Sequence, residues 1–461
     1  MSGSHLAVAI GALAAPGVMP AWWTTRDLPR ALPLVLPAGA VFAGLGGLLT
    51  LLLPGEFLTW WELVFVITSA AAAWACRSLE PTSDTTAWWP LGLLIGSTTV
   101  PLLALRRFDV FYDARSIWFL HGRLIAAGHS TLTAALSNPA YLFSHVDYPP
   151  LSPSAIALSW KTTGATTDYR LAQLLIGALT GSAVLAAVHE ATRLARTRRW
   201  LTLAAGAGAC LAAFGFAARN GTDGYADLLW GACGAGACIA GLVAPVSSAN
   251  TRVALLLAAA AGLTKNEGLA VAGIVIVLTL LRADVPAALL RAPGRAAQSA
   301  PGLLALATIL AWPVAVHLRG VTSDIAAGGN LSRLLHLDPT VTNRALPLAD
   351  GLREQLLILP AALAIMLVAS LTLRVRRRSS GLGNPGWLWA VVTSALAALV
   401  LAYLMNPVEI HFLLATSFDR TTIFLKLLLV LDLVYWVTVA SHREDSGPVP
   451  SLAFVTTEPA A

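Results

Sequence analysis

The sequence predicts an all-α polytopic membrane protein, and three observations carry that expectation. Hydrophobic residues make up 57% of the 461 and charged residues only 12%, about half the charged share of a soluble domain. Mean hydropathy is +0.71. Apolar runs of spanning length recur from end to end, and no soluble domain of useful size fits between them.

Taken in order, the runs lie at about 5–22, 31–53, 57–76, 88–105, 171–191, 200–217, 224–244, 300–318, 354–373, 386–405 and 421–440. The first 23 residues lack a basic leader and read as a helix rather than a cleaved signal. Two shorter runs, about 253–264 and 268–281, flank Thr264-Lys265-Asn266-Glu267-Gly268 and predict a hairpin of short helices whose polar turn faces a cavity. The total is about 11–13 transmembrane helices. They divide into N-terminal helices (1–105), a large loop (106–170), a helical core (171–440) and a disordered tail (441–461). No internal repeat or heptad pattern is present, and Cys76, Cys210, Cys233 and Cys238 lie in apolar runs without metal spacing, as small core residues do.

The strongest basic connectors are Arg193-Leu-Ala-Arg196-Thr-Arg198-Arg199 and Arg374-Val-Arg376-Arg377-Arg378, which the positive-inside rule assigns to the cytoplasm. The cytoplasmic segments then hold 16 Lys/Arg and 8 Asp/Glu, and the outer segments 14 of each. Outer loops of an ordinary polytopic protein are poor in Lys and Arg, so this matched set of charges points to a chemical site on that face.

Five polar motifs fall there. Arg106-Arg107-Phe108-Asp109-Val110-Phe111-Tyr112-Asp113 leads to His121-Gly122-Arg123, with apolar residues at Ile117, Leu120, Leu124 and Ala127 whose spacing suits an interfacial helix begun near Asp113. His145-Val146-Asp147-Tyr148-Pro149-Pro150-Leu151-Ser152-Pro153 has three prolines in five residues, which predicts a rigid loop rather than a helix. Arg219-Asn220-Gly221-Thr222-Asp223-Gly224-Tyr225-Ala226-Asp227 is a turn that ends with an acid in the mouth of a helix. Lys265-Asn266-Glu267 tips the hairpin, and an ionisable pair at membrane depth is a functional candidate. Last come Glu409-Ile410-His411 and Ser417-Phe418-Asp419-Arg420, with Lys426 placed to snorkel. The set supplies carboxylates for proton abstraction and arginine for phosphate, whose oxygens its planar fork binds in pairs. No glycine-rich phosphate loop, HExxH or GxSxG motif is present, which argues against nucleotide, zinc and serine hydrolysis.

The order Tyr112-Asp113-Ala114-x-x-Ile117-Trp118, His145-x-Asp147-Tyr148-Pro149-x-Leu151-x-Pro153, Tyr225-Ala226-Asp227, Thr264-Lys265-Asn266-Glu267-Gly268 and Ser417-x-Asp419-Arg420 resembles bacterial GT-C-type glycosyltransferases. These integral membrane enzymes are related to the dolichyl-phosphate-mannose protein mannosyltransferases, and the resemblance runs from about residue 106 to 440. It implies a GT-C-like fold and inverting transfer of a sugar from a polyprenyl-phosphate donor to a cell-envelope glycan, lipid or protein acceptor on the extracytoplasmic side. It further implies Asp113 as general base, with Asp109 as the alternative, and Arg420, Lys265 and Arg123 as ligands of the donor phosphate. His145, Asp147, Tyr148, Asp227, Asn266, Glu267 and Asp419 would form the sugar and acceptor pocket. The chain departs from the pattern in three ways. Only Arg123 keeps a permanent charge within His121-Gly122-Arg123, about four helices precede the loop, and no large C-terminal domain follows the core.

No cofactor is required, although Asp109 and Asp113 are near enough in sequence to hold a divalent ion. The expected partners are the lipid-linked donor, the acceptor and membrane lipid, with no nucleic acid. The 27 arginines against 3 lysines fit a bacterium of high GC content, and hence an inner-membrane protein with its site facing outward. Three other readings compete: a flippase for a lipid-linked sugar, which should show repeat symmetry; a scaffold that only binds such a lipid; and a ligase or polymerase using a diphosphate-linked oligosaccharide.

Overall fold

The structure is a computed structural model, and it describes residues 3–76, 88–105, 110–166, 168–193, 199–217, 221–283, 300–321, 330–336, 338–355, 385–406 and 408–442. Among these residues the regular structure is helical. Helix α1 (Gly3–Thr25) packs along α2 (Leu28–Leu52), and their backbones approach closely: a Cβ on Gly39 would collide with the Leu13 carbonyl. Small residues at such crossings let helices meet where no hydrophobic drive exists between lipid and side chain. Then follow α3 (Phe57–Cys76) and α4 (Trp88–Leu105).

The segment after α4 departs from expectation. A π-helical turn, Ala114–Phe119, runs into α5 (Leu120–Ala126), followed by α6 (His129–Leu136). One side of this stretch is packed into the protein, with Trp118, Phe119 and Ile125 fully buried and Gly122 against Ile156, while Arg115, Arg123 and Ala127 are exposed. The reason is compositional, because Ile117, Trp118, Phe119, Leu124 and Ile125 supply a broad apolar side that the protein buries, opposite the exposed Arg115 and Arg123. The proline segment is a second departure. Only His145 to Pro149 forms the loop, and Pro150 is the N-cap of α7 (Leu151–Thr163). Pro153 lies in the first turn, where its missing N–H is one that an α-helix leaves unused. Residues Leu151 to Trp160 of α7 are all buried.

The core continues with α8 (Tyr169–Thr192), α9 (Arg199–Ala217) and α10 (Asp227–Cys238), the last prolonged by a π-helical stretch, Ile239–Val243. Every residue from Asp227 to Val243 is buried, so protein rather than lipid surrounds this helix. The hairpin is present as α11 (Ser248–Gly262) and α12 (Asn266–Arg282), joined by Leu263, Thr264 and Lys265. Gly268 permits the tight return, since a Cβ there would collide with the Ala261 carbonyl. Then come α13 (Ala300–Leu318), the short α14 (Asn330–Leu335), α15 (Pro339–Gln355), α16 (Pro385–Met405) and, after three short turns from Ile410 to Thr421, α17 (Ile423–His442). Leu348 of α15 joins Tyr403, Ile410 and Phe418 in a small core of its own beneath those turns.

Among the described residues, seven helices are long and apolar enough to cross a membrane: Gly3–Thr25, Leu28–Leu52, Phe57–Trp74, Tyr169–Thr192, Trp200–Ala217, Trp387–Met405 and Ile410–Thr438. Pro90–Leu105, Asp227–Val243 and Gly302–Leu318 are apolar but shorter, which accounts for much of the difference from 11–13. The run at 354–373 lies outside the described residues from 356, as do Arg196, Arg198, the 374–378 cluster and the tail beyond 442. The molecule is thus a multi-pass, all-α membrane protein.

Candidate functional site

All five motifs supply charged groups to one end of the bundle, Asp147 of the proline loop through Asn266 and the other four through ion pairs. Asp113 stands at the head of the Ala114–Phe119 π-turn, and its side chain makes no capping bond there. Asp227 is the first residue of α10 and Glu267 lies in the first turn of α12, where the helix dipole favours a carboxylate. Lys265 caps α12. Arg420 follows a second π-turn, Leu414–Phe418. Both ends of the Asp113–Arg420 pair therefore sit beside π-turns, which redirect side chains and often mark functional positions.

The five groups form an alternating chain of charge. Arg420 Nη1 donates to Asp113 Oδ2 at 2.6 Å and lies 3.6 Å from Asp227 Oδ2. Lys265 Nζ donates to the other Asp227 oxygen at 2.8 Å and stands 3.0 Å from Glu267 Oε1. Asp227 is thus shared by two cations, which offsets the cost of burying it. The remaining Glu267 oxygen and the Arg420 Nε–H are buried without a hydrogen-bond partner.

Aromatic rings and an amide build the walls. The Arg420 guanidinium lies 5.2 Å from the Tyr225 ring and Lys265 Nζ 5.8 Å from the Tyr148 ring, cation–π distances both. Burial, and next the Asp113 carboxylate, push the Tyr225 hydroxyl up to about 12. Tyr148 is sandwiched between His145 at 4.9 Å and Trp118 at 5.6 Å, with His145 in the left-handed region at φ 51°. Asp147 accepts from Asn266 Nδ2 at 2.6 Å through its side chain and from Trp312 Nε1 at 3.0 Å through its carbonyl. Leu151 N–H donates to the Leu263 carbonyl at 2.8 Å, which ties the proline loop to the hairpin turn. Behind Tyr148 lies an apolar pocket bounded by His121, Leu124, Leu136, Val146 and Trp312.

Asp113, Arg420, Asp227, Lys265, Glu267, Asn266, Asp147, Tyr148 and His145 are therefore brought together, directly or through a shared neighbour. Two expected residues are placed elsewhere. Arg123 lies over the rings of Tyr169, at 4.9 Å, and Trp160, at 6.0 Å, between α5, α7 and α8. Asp419 faces Lys426, whose Nζ donates to it at 2.6 Å, because consecutive helical residues point in different directions. Glu409 caps the next turn by accepting from the His411 and Phe412 N–H groups. Asp109 is outside the described residues.

Tyr225, Trp312 and Tyr403 join the site without having been expected there. Tyr403 hydroxyl lies 2.8 Å from Ser417 Oγ and 3.0 Å from Thr421 Oγ1, fixing the turn that carries Arg420. Tyr225 stood within a quoted motif beside Asp227, whereas Trp312 and Tyr403 lie in apolar runs with nothing local to distinguish them. Among the described residues, no three His, Cys, Asp or Glu side chains converge in a way that suits a metal ion.

The arrangement can hold an anion through Arg420 and Lys265 and offer a carboxylate beside it. The search for relatives is negative throughout: no family model, curated protein or solved structure matches this chain.

Proposed function

We propose that this end of the molecule is the active site of an inverting glycosyltransferase of GT-C type. It moves a sugar from a polyprenyl-phosphate donor to an envelope glycan, lipid or protein acceptor on the extracytoplasmic face of a bacterial inner membrane. The observation that carries the reading is the placement of a half-buried aspartate, Asp113, directly against the arginine best placed to hold a phosphate, Arg420.

In the reaction, Asp113 takes the proton of the acceptor hydroxyl as its oxygen bonds to the anomeric carbon. The bond from that carbon to the phosphate oxygen breaks, and the electron pair leaves with the polyprenyl phosphate. Arg420 and Lys265 stabilise the charge that grows on the leaving phosphate, and the N-termini of α10 and α12, each worth roughly half a positive charge, act in the same sense. Removal of the proton at the transition state contributes about 10²–10⁴-fold. The unpartnered oxygen of Glu267 suits a sugar hydroxyl, which brings the donor that this atom lacks.

The test is transfer from a panel of radiolabelled polyprenyl-phosphate sugars to membrane extract. The expected result is transfer by the wild type, loss of at least about 10²-fold in Asp113→Asn, and no effect of EDTA. Full activity in Asp113→Asn removes that residue from the mechanism, and no transfer from any donor overturns the reading.

A further inference from the structure

The chain of ion pairs holds three carboxylates, Asp113, Asp227 and Glu267, against two cations, Arg420 and Lys265, and Asp147 lies beside it on Asn266, so the acids outnumber the cations. A phosphate entering this site meets cations that are already engaged, and one carboxylate must give way. The geometry singles out which one. Asp227 is 2% exposed and held from both sides, by Lys265 at 2.8 Å and Arg420 at 3.6 Å. Glu267, 29% exposed, contacts Lys265 from its own helix, so its release would free Lys265 rather than Arg420. Asp113 is 27% exposed, and among the described residues its one ion-pair contact is to Arg420. Of the two carboxylates on Arg420, it is the one that water can more readily receive.

Arg420 does not need Asp113 to stay in place. Its guanidinium lies on the Tyr225 ring, it retains Asp227, and its buried Nε–H is an unspent donor. The Tyr225 ring is itself buried, at 8% exposure, in the turn that leads into α10.

Resting on the transferase reading above, we propose that the donor phosphate and Asp113 compete for Arg420, with Tyr225 as the positioning residue that holds the guanidinium during the exchange. The Asp113–Arg420 pair is then a latch. While it is closed, the carboxylate faces a cation rather than an acceptor hydroxyl. The donor opens it by taking Arg420, and this frees the base only when a sugar is present to be transferred. Binding is ordered, donor before acceptor, and water is denied an activated base in the empty site.

The test is the affinity of the purified full-length protein in detergent for farnesyl phosphate, and for inorganic phosphate in parallel, by calorimetry. Thermal melts of each variant confirm that it folds. Competition requires Asp113→Asn to bind farnesyl phosphate about fivefold more tightly than wild type, the size of one half-exposed ion pair. A similar gain with inorganic phosphate supports the same conclusion, since Arg420 reads the phosphate. Arg420→Gln should bind more weakly, Tyr225→Leu likewise, and Tyr225→Phe should match wild type because the ring is kept. Unchanged or weaker binding by Asp113→Asn, while Arg420→Gln loses affinity, overturns the latch and leaves the phosphate site standing. Equal losses in Tyr225→Phe and Tyr225→Leu remove the ring from its role. No binding by wild type overturns both the latch and the transferase reading beneath it.

Discussion

At the scale of single residues, the site is held by pairs whose members depend on each other. Lys265 and Asp227 are nearly sealed from water, so removing either leaves the other a buried charge without its closest partner, with only Glu267 at 3.0 Å for Lys265 or Arg420 at 3.6 Å for Asp227. Lys265→Met and Asp227→Leu are each expected to lower stability by about 3–5 kcal/mol. The double variant should lose at least about 1 kcal/mol less than the sum, because the two residues interact directly. Denaturation of all four proteins measures this coupling, and simple additivity would contradict it. His121 gives a pH signature. Burial, and next its neighbour His145, push its pKa down from 6.5 to about 3, while Ser144 at 3.1 Å shares its ring nitrogen. The unfolded chain takes up a proton below pH 6.5 that the folded protein refuses until about pH 3, so this contribution to stability falls with pH across that window. His121→Gln should flatten the dependence of Tm on pH between those limits, and an unchanged slope would count against it.

At the scale of elements, the hairpin of α11 and α12 decides where Lys265, Asn266 and Glu267 point. Gly268 sits against the Ala261 carbonyl, whereas Gly273, five residues along the same helix, has open space around its Cα. Gly268→Ala should therefore cost about 1–3 kcal/mol through overpacking, and Gly273→Ala should be neutral or stabilising by up to about 1 kcal/mol. Equal melting temperatures for the two variants would refute this. The hairpin was legible in the sequence because two short apolar runs flank five polar or small residues. Helix α7 was not, because prolines at its cap and first turn look like breakers until the N-terminus is located. The stretch from Asp113 to Ala127 was legible as helical, but the depth to which its apolar side is buried was not. Its spacing fits an interface, and only packing against α7 shows that protein covers that side.

At the scale of the whole molecule, α8 joins two polar ends. Near its start Gln173 donates to the Asp223 carbonyl beside the site, and near its end Glu190 accepts from Arg30 at 2.7 and 2.8 Å and from Arg193 at 2.9 Å. Asn250 accepts from both arginines, closing a buried knot between α2, α8 and α11. Seventeen residues of helix separate Gln173 from Glu190, about 25 Å. Glu190→Gln should therefore lower stability by about 3–5 kcal/mol and leave farnesyl phosphate affinity in the surviving fold unchanged; a loss of affinity would show that the two ends are coupled. The sequence by itself determined that the chain is helical and membrane-spanning, because composition and run length answer to the solvent of each segment. It also singled out Asp113, Asp227, Lys265, Glu267 and Arg420, because ionisable side chains among apolar runs are expensive unless matched. Only the tertiary structure decided that these five touch, that Arg123 and Asp419 turn to other partners, and that Arg30 and Glu190 meet across 160 residues of chain. Pairing of charges depends on which helix ends share a height and a facing, and that is a property of the packed bundle rather than of any one segment.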